Sequence, residues 1–153
     1  MFQNFPPVTQ TNGTAADLWA HEWNKHGTCL STIQPSCYDD YMPGQDIVDY
    51  FRATIQLSRS LPTFTFLESC GIVPSHGQTY SLADIESCIA DTTWGHTPHV
   101  GCSEDGYLNE ILYYHHWSGS LRGGHEVGTN SAAPSSCPKN GIKYFPQEGS
   151  KYA

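Results

Sequence analysis

The order of periodicities along the chain limits the fold most. Apolar residues recur at helical spacing first, and strand-like runs follow. Thr14 with Asp17 three residues on reads as a capping box, Trp19 and Trp23 lie at i,i+4 where their rings stack, and Gly27 is placed to end this first helix. A second helix is expected over Gln45–Ser60, with Ile47, Val48, Phe51 and Ile55 as its apolar stripe and Pro62 as its stop. A short turn around Phe64–Cys70 ends at Gly71, and Ser81-Leu82-Ala83-Asp84 opens a helix with Leu82, Ile85 and Ile89 on one face. Beyond it, Thr97–Cys102 and Tyr107–Trp117 are rich in aromatic and β-branched residues, with Ser103, Asp105 and Gly106 as the turn between paired antiparallel strands. Bulky groups on both faces of Tyr107–Trp117 (Ile111 and Tyr113, Leu112 and Tyr114) suggest a central strand. Gly119–Ser136 reads as a Gly/Ser-rich loop and Gly141–Pro146 as a last edge strand. Helices first and strands later mean α+β, with N-terminal helices packed on a C-terminal antiparallel sheet. A chain of 153 residues suits one domain.

Six cysteines (Cys29, Cys37, Cys70, Cys88, Cys102 and Cys137) beside only seven Lys and Arg look like an extracellular framework. None sits in a Cys-x-x-Cys pair, which argues against a zinc ribbon or a thioredoxin-like site. Asn12-Gly13-Thr14 is an N-glycosylation sequon, relevant only in the secretory pathway. No window holds the roughly 18 apolar residues of a membrane helix. Met1–Pro7 lacks the charged start and apolar core of a signal peptide, so the expectation is a secreted or vacuolar chain missing its N-terminus. The net charge of −8 excludes nucleic-acid binding by bulk electrostatics, yet protonating all eight histidines brings it to about zero. A chain of this kind meets an anionic substrate best in mild acid, through a local site.

That local site is His21-Glu22-Trp23-Asn24-Lys25-His26-Gly27-Thr28-Cys29. At 100° per residue His21 lies at 0°, Lys25 at about 40°, Glu22 at about 100° and His26 at about 140°, while Trp19 and Trp23 fall at about 160° and 200°. Two imidazoles, a carboxylate and an ammonium on one patch suit phosphoryl transfer: one imidazole removes a proton, another holds a phosphate oxygen, and the rest stabilise a pentacoordinate phosphorane. The plain alternative is a solvated helix face with an i,i+4 Glu22–His26 pair. A metal site fits the spacing poorly, because zincins place their histidines four apart on one face; here they are five apart. No metal and no cofactor is expected.

The nine-residue string, with Trp19 two residues ahead, resembles the second active-site segment of the ribonuclease T2 family. Downstream, Gly71-Ile72-Val73-Pro74-Ser75 before the Ser81-headed helix, Tyr107-Leu108-Asn109-Glu110-Ile111, and Cys137-Pro138 before Gly141-Ile142-Lys143-Tyr144 resemble its fungal branch. The resemblance implies a monomeric secreted or vacuolar endoribonuclease that works without metal, with low base specificity and often in acid. The 2′-OH attacks phosphorus to give a 2′,3′-cyclic phosphate, later hydrolysed to a 3′-phosphate, which excludes DNA as substrate. It implies His26 as general base, His21 on the phosphate, Glu22 and Lys25 at the transition state, and Trp19 with His21 as substrate contacts. It also implies a Cys102–Cys137 disulfide and upstream partners for Cys29 and Cys37. Cys70 and Cys88 are left to bridge two helices or to stay free, and a direct Cys29–Cys37 bond is sterically open.

The family's other segment, His-Gly-Leu-Trp-Pro, carries the general acid and does not occur in this sequence. The His-Gly pairs are His26-Gly27 and His76-Gly77. The expectation is therefore a single partial ribonuclease T2-like domain over residues 1–153, with a non-catalytic secreted protein that keeps the fold for binding as the alternative. His115 and His116 alternate faces of their strand, one packed and one exposed, while His76, His96, His99 and His125 are read as structural.

Overall fold

The computed structural model describes residues 14–30, 33–147 and 149. Asn12 of the sequon lies outside them. Four α-helices, α1 (Ala15–Lys25), α2 (Gln45–Ser60), α3 (Thr63–Ser69) and α4 (Leu82–Ala90), precede most of the strands, β1 (Thr79–Tyr80), β2 (His99–Cys102), β3 (Leu108–Leu112), β4 (Tyr114–Ser118), β5 (His125–Thr129) and β6 (Ile142–Lys143). The class is α+β. Two compact units divide the chain: one runs to Gln56 and adds Gly119–His125, and the other holds Leu57–Ser118 and the residues from Glu126 on.

In the first unit α1 starts where expected. The Asp17 amide donates to Thr14 Oγ1 at 3.3 Å and the Thr14 amide donates to Asp17 Oδ2 at 2.6 Å. The bonds from Thr14 hold the Asp17 carboxyl below its ordinary pKa. Helix α2 keeps its expected bounds and only part of its expected face, with Phe51 and Ile55 half-buried. Gln45, Asp49 and Ala53 are buried, whereas Ile47 is 38% and Val48 55% exposed. Asp49 tolerates burial because its carboxylate accepts from Arg122 Nε at 2.8 Å, Tyr38 Oη at 3.3 Å and Arg52 Nη1 at 3.4 Å. Periodicity counts apolar side chains and is blind to a carboxylate satisfied from far along the chain.

The second unit carries the main core: Leu67, Ile72, Tyr80, Ile85, Cys88, Ile89, Trp94, Val100 and Ile142. Its disulfides join Cys70 to Cys88, across the end of α3 and α4, and Cys102 to Cys137. Both exposed cysteines of the first unit, Cys29 and Cys37, are outside these bonds. On α4, the Ser81 hydroxyl accepts from the Asp84 amide at 3.0 Å, and Ile85 and Ile89 are fully buried.

The strands form three two-stranded antiparallel ribbons, β1–β6, β2–β3 and β4–β5. The long central strand expected over Tyr107–Trp117 is therefore corrected: it breaks at Tyr113, and its halves pair with different partners. Tyr113 sets its hydroxyl 2.8 Å from Thr63 Oγ1 and its ring 5.3 Å from Trp94. Nor are both faces covered, since Leu112 and Tyr114 are exposed. In β2–β3, His99 faces Leu112 and Val100 faces Ile111, with a bulge after Gly101. The segment expected as loop over Gly119–Ser136 contains β5. Gly128 allows it, because a Cβ there falls 2.6 Å from His96 Cδ2 and 2.7 Å from Trp94 Cη2. The edge strand expected near Gly141 is short and ends with Lys143, and Ile142 within it is fully buried.

Candidate active site

Helix α1 contributes no fully buried residue, so its aromatic rings position it. Trp19 sets its ring 4.9 Å from Phe51, and Trp23 sets its ring 5.7 Å from Tyr50, both on α2. The two tryptophans expected to stack on each other thus each meet a ring of α2. Trp23 also covers Gly27, where an added Cβ falls 2.3 Å from the indole Cε3. The chain beyond α1 can turn across the indole only because that position has no side chain.

His21, Glu22 and Lys25 stand on α1, and His26 is its C-cap at φ −116°. The His26 amide donates to the Glu22 carbonyl at 3.0 Å, and His26 Nε2 lies 4.0 Å from Glu22 Oε2. The His21 and His26 rings stand 6.3 Å apart, edge to face at 77°. One ligand atom from each of His21, Glu22 and His26 falls within 4.8 Å of the others. A helical wheel separates the two imidazoles by about 140°. The structure brings them closer, because His26 has left ideal helix geometry and both side chains are long enough to converge. The group is open to solvent, with His21, Lys25 and His26 exposed and Glu22 half-buried. Behind it, burial pushes the Tyr50 phenol above its ordinary pKa, and the Glu22 carboxylate adds to the rise. Thr28 Oγ1 and Cys29 Sγ donate back to the carbonyls of Asn24 and Lys25 at 2.9 and 3.5 Å, closing the C-terminus of α1.

The arrangement offers two nitrogen bases and a carboxylate to one solvent-facing point, with Lys25 on the same helix, and such a set can serve proton transfer at a phosphate. Tyr50 and Gly27, which position this face, were not singled out from the sequence. Gly27 was read only as a helix stop, and Tyr50 carried no motif. A cavity of about 300 Å³ elsewhere in the first unit also went unread; Tyr38, Gln45, Leu121 and Arg122 are among the residues lining it. It depends on Gly119–His125 belonging to this unit, which no local pattern signals. Among the described residues no helix is long and apolar enough to cross a membrane.

Comparison with known proteins identifies the family. The ribonuclease T2 family model matches residues 1–137. Ribonuclease M of Aspergillus phoenicis is 45% identical over 133 residues, covering 87% of this chain and 56% of that protein. Ribonuclease T2 of Aspergillus oryzae is 40% identical over 136 residues, covering 89% of this chain and 49% of that protein. The crystal structure of Actibind, described as a T2 ribonuclease, superposes with a TM-score of 0.82 at 42% identity, covering 87% of this chain and 56% of that one. The chain thus spans about half the length of the relatives it matches. It belongs to the ribonuclease T2 family.

Proposed function

We propose that this chain supplies the general base, phosphate ligand and transition-state groups of an RNA endonuclease. The observation that carries the reading is the convergence of His21, Glu22 and His26 within 4.8 Å on an exposed helix face. His26 takes the proton of the ribose 2′-OH as that oxygen attacks phosphorus. His21 holds a non-bridging phosphate oxygen, and Glu22 with Lys25 stabilises the charge of the phosphorane. The 5′-oxygen leaves, taking its proton from solvent in these residues alone, and a 2′,3′-cyclic phosphate remains. Water then opens it to a 3′-phosphate. Trp19 lies on the same helix and offers an exposed indole as a stacking surface for a base. DNA lacks the attacking hydroxyl and is not a substrate.

His26 serves the attacking proton, and His21, Glu22 and Lys25 the phosphate and phosphorane charge, without calling on a metal; the proton of the leaving oxygen has no donor among them. In the family that proton comes from the histidine of His-Gly-Leu-Trp-Pro, which residues 1–153 do not contain. The family match crosses both compact units, which supports reading residues 1–153 as part of one ribonuclease T2-like domain. Two disulfides support a protein of the secretory pathway, and a monomer is what the family resemblance implies. Eight histidines on a chain of net charge −8 support an acidic optimum, because protonating them brings the charge to about zero, while low base specificity rests on the family alone.

A dinucleoside monophosphate at about pH 5 in EDTA tests the reading. Residues 1–153 are expected to release cyclic phosphate roughly 10²–10⁴-fold more slowly than a family member carrying the acid histidine. Cleavage abolished by EDTA would replace this reading with a metallohydrolase. RNA binding with no cleavage under any condition would replace it with a binding protein.

A further inference from the structure

We infer that the cavity at the start of α2 is a binding site for a guanine base, separate from the α1 cluster. Its volume of about 300 Å³ lies at the lower end of the roughly 300–1,000 Å³ range of small-molecule sites, which suits one flat ring system. Tyr38, Asp39, Asp40, Gln45 and Arg122 line it, all within the first unit. Neither the ligand nor its test depends on the ribonuclease reading.

Arg122 is held from two sides. Its Nε donates to the buried Asp49 carboxylate at 2.8 Å, and its guanidinium carbon lies 5.6 Å from the centre of the Tyr38 ring. Those contacts leave the Nη1/Nη2 fork to a ligand, on a group with little freedom left to lose. Gln45 is buried and spends its Oε1 on the Met42 amide at 3.0 Å, so its amide nitrogen is the atom left to donate into the cavity. Asp39 and Asp40 are exposed carboxylates, which only accept.

Guanine matches this set edge by edge. Its O6 and N7 take an arginine fork bidentately, its N1–H and 2-amino group donate to a carboxylate, and its faces stack on a ring or a guanidinium plane. Adenine sets an amino group where guanine has O6, so donor meets donor. Uracil lacks a second donor for the carboxylates, and cytosine lacks the N7 edge. Charge narrows the ligand further. Arg122 is already paired with Asp49, so Asp39 and Asp40 leave the rim negative and repel phosphate. The site therefore takes guanosine, or an unpaired guanine whose flanking phosphates stay in solvent.

Calorimetric titration of residues 1–153 with guanosine is expected to show one site per chain, at least about tenfold tighter than for adenosine, uridine or cytidine. Inosine lacks the 2-amino group and 7-deazaguanosine the N7 acceptor, and each should bind several-fold more weakly. Arg122→Lys keeps a charge beside Asp49 but loses the fork, and should weaken guanosine about tenfold. Asp39→Asn/Asp40→Asn changes only exposed carboxylates and should weaken it as much with an unchanged urea midpoint, so it decides the matter even if Arg122→Lys does not fold. Binding should survive His21→Ala/His26→Ala, because the site does not use the α1 cluster. At low salt 5′-GMP should bind more weakly than guanosine, with the gap closing as salt rises. A DNA pentamer with one central guanine among thymines has no ribose hydroxyl to attack and tells the two sources apart. Tighter binding of guanosine assigns the free nucleoside, and tighter binding of the pentamer assigns a guanine within a strand. The site is overturned by equal binding of adenosine, by guanosine affinity undiminished in the aspartate variant, by its loss in the histidine variant, or by no heat at millimolar guanosine.

Discussion

His26 carries the proton in the proposed reaction, and Gly27 beside it makes its position possible. The Gly27 Cα faces the Trp23 indole so closely that a methyl group would meet Cε3 at 2.3 Å. Gly27→Ala is therefore expected to push the indole off Tyr50 and cost about 1–3 kcal/mol, read as a lowered midpoint in urea unfolding. Activity should fall with it, because the displaced residue neighbours the base. His26→Ala should leave stability nearly unchanged, as an exposed side chain, and reduce cleavage by roughly 10²–10⁴-fold. At this scale the cluster itself was legible from residue types and spacing, and the roles proposed for it came from the resemblance. The supports were not: a glycine reads as a stop signal whether or not a ring covers it.

At the scale of elements, bounds were easier to read than faces. Helix α2 begins and ends where Gln45 and Pro62 place it, yet it buries Asp49 and leaves Val48 exposed. The cause is Arg122, whose guanidinium pairs with Asp49 and lies 5.6 Å from the centre of the Tyr38 ring. Arg122→Ala leaves a buried carboxylate with only Tyr38 and the solvent-exposed Arg52, and is expected to cost about 2 kcal/mol in urea unfolding. The β4–β5 ribbon went unread for a related reason. His115 of β4 packs 4.6 Å from Trp94, and its Nδ1 lies 3.1 Å from Glu126 Oε2. Burial lowers the His115 pKa, with Glu126 opposing that shift and His96 adding to it. A folded-state pKa below the unfolded value means the unfolded chain binds the proton first as pH falls through about 6.5. Stability from this group is present above that pH and lost below it. Replacing His115 with Phe should therefore flatten the acid side of the stability profile; an unchanged profile would show that Glu126 cancels the effect of burial.

For the whole molecule, a small core works with covalent links. Cys102–Cys137 spans a sequence separation of 35 residues, and its removal by a double Ala substitution is expected to cost about 4 kcal/mol, seen as a large drop in Tm. The resemblance gave this bond in advance, while Cys70–Cys88 was left open because leftover cysteines carry no pairing information. Class was legible because helical and strand periodicities are separated along the chain. The division into three ribbons was not, since strand partners are set by contacts such as Tyr113 on Trp94 that leave no local pattern.

The central claim is that the α1 cluster activates a ribose hydroxyl. It is best tested with a uridine 3′-phosphate ester whose 4-nitrophenol leaves without needing a general acid. With that substrate the absent acid histidine no longer limits the rate, so residues 1–153 in EDTA should release nitrophenol and cyclic phosphate. His26→Ala should lose that release at least a hundredfold, roughly the contribution of a positioned general base. Release that is unaffected by His26→Ala, or absent from the folded chain altogether, would contradict the claim.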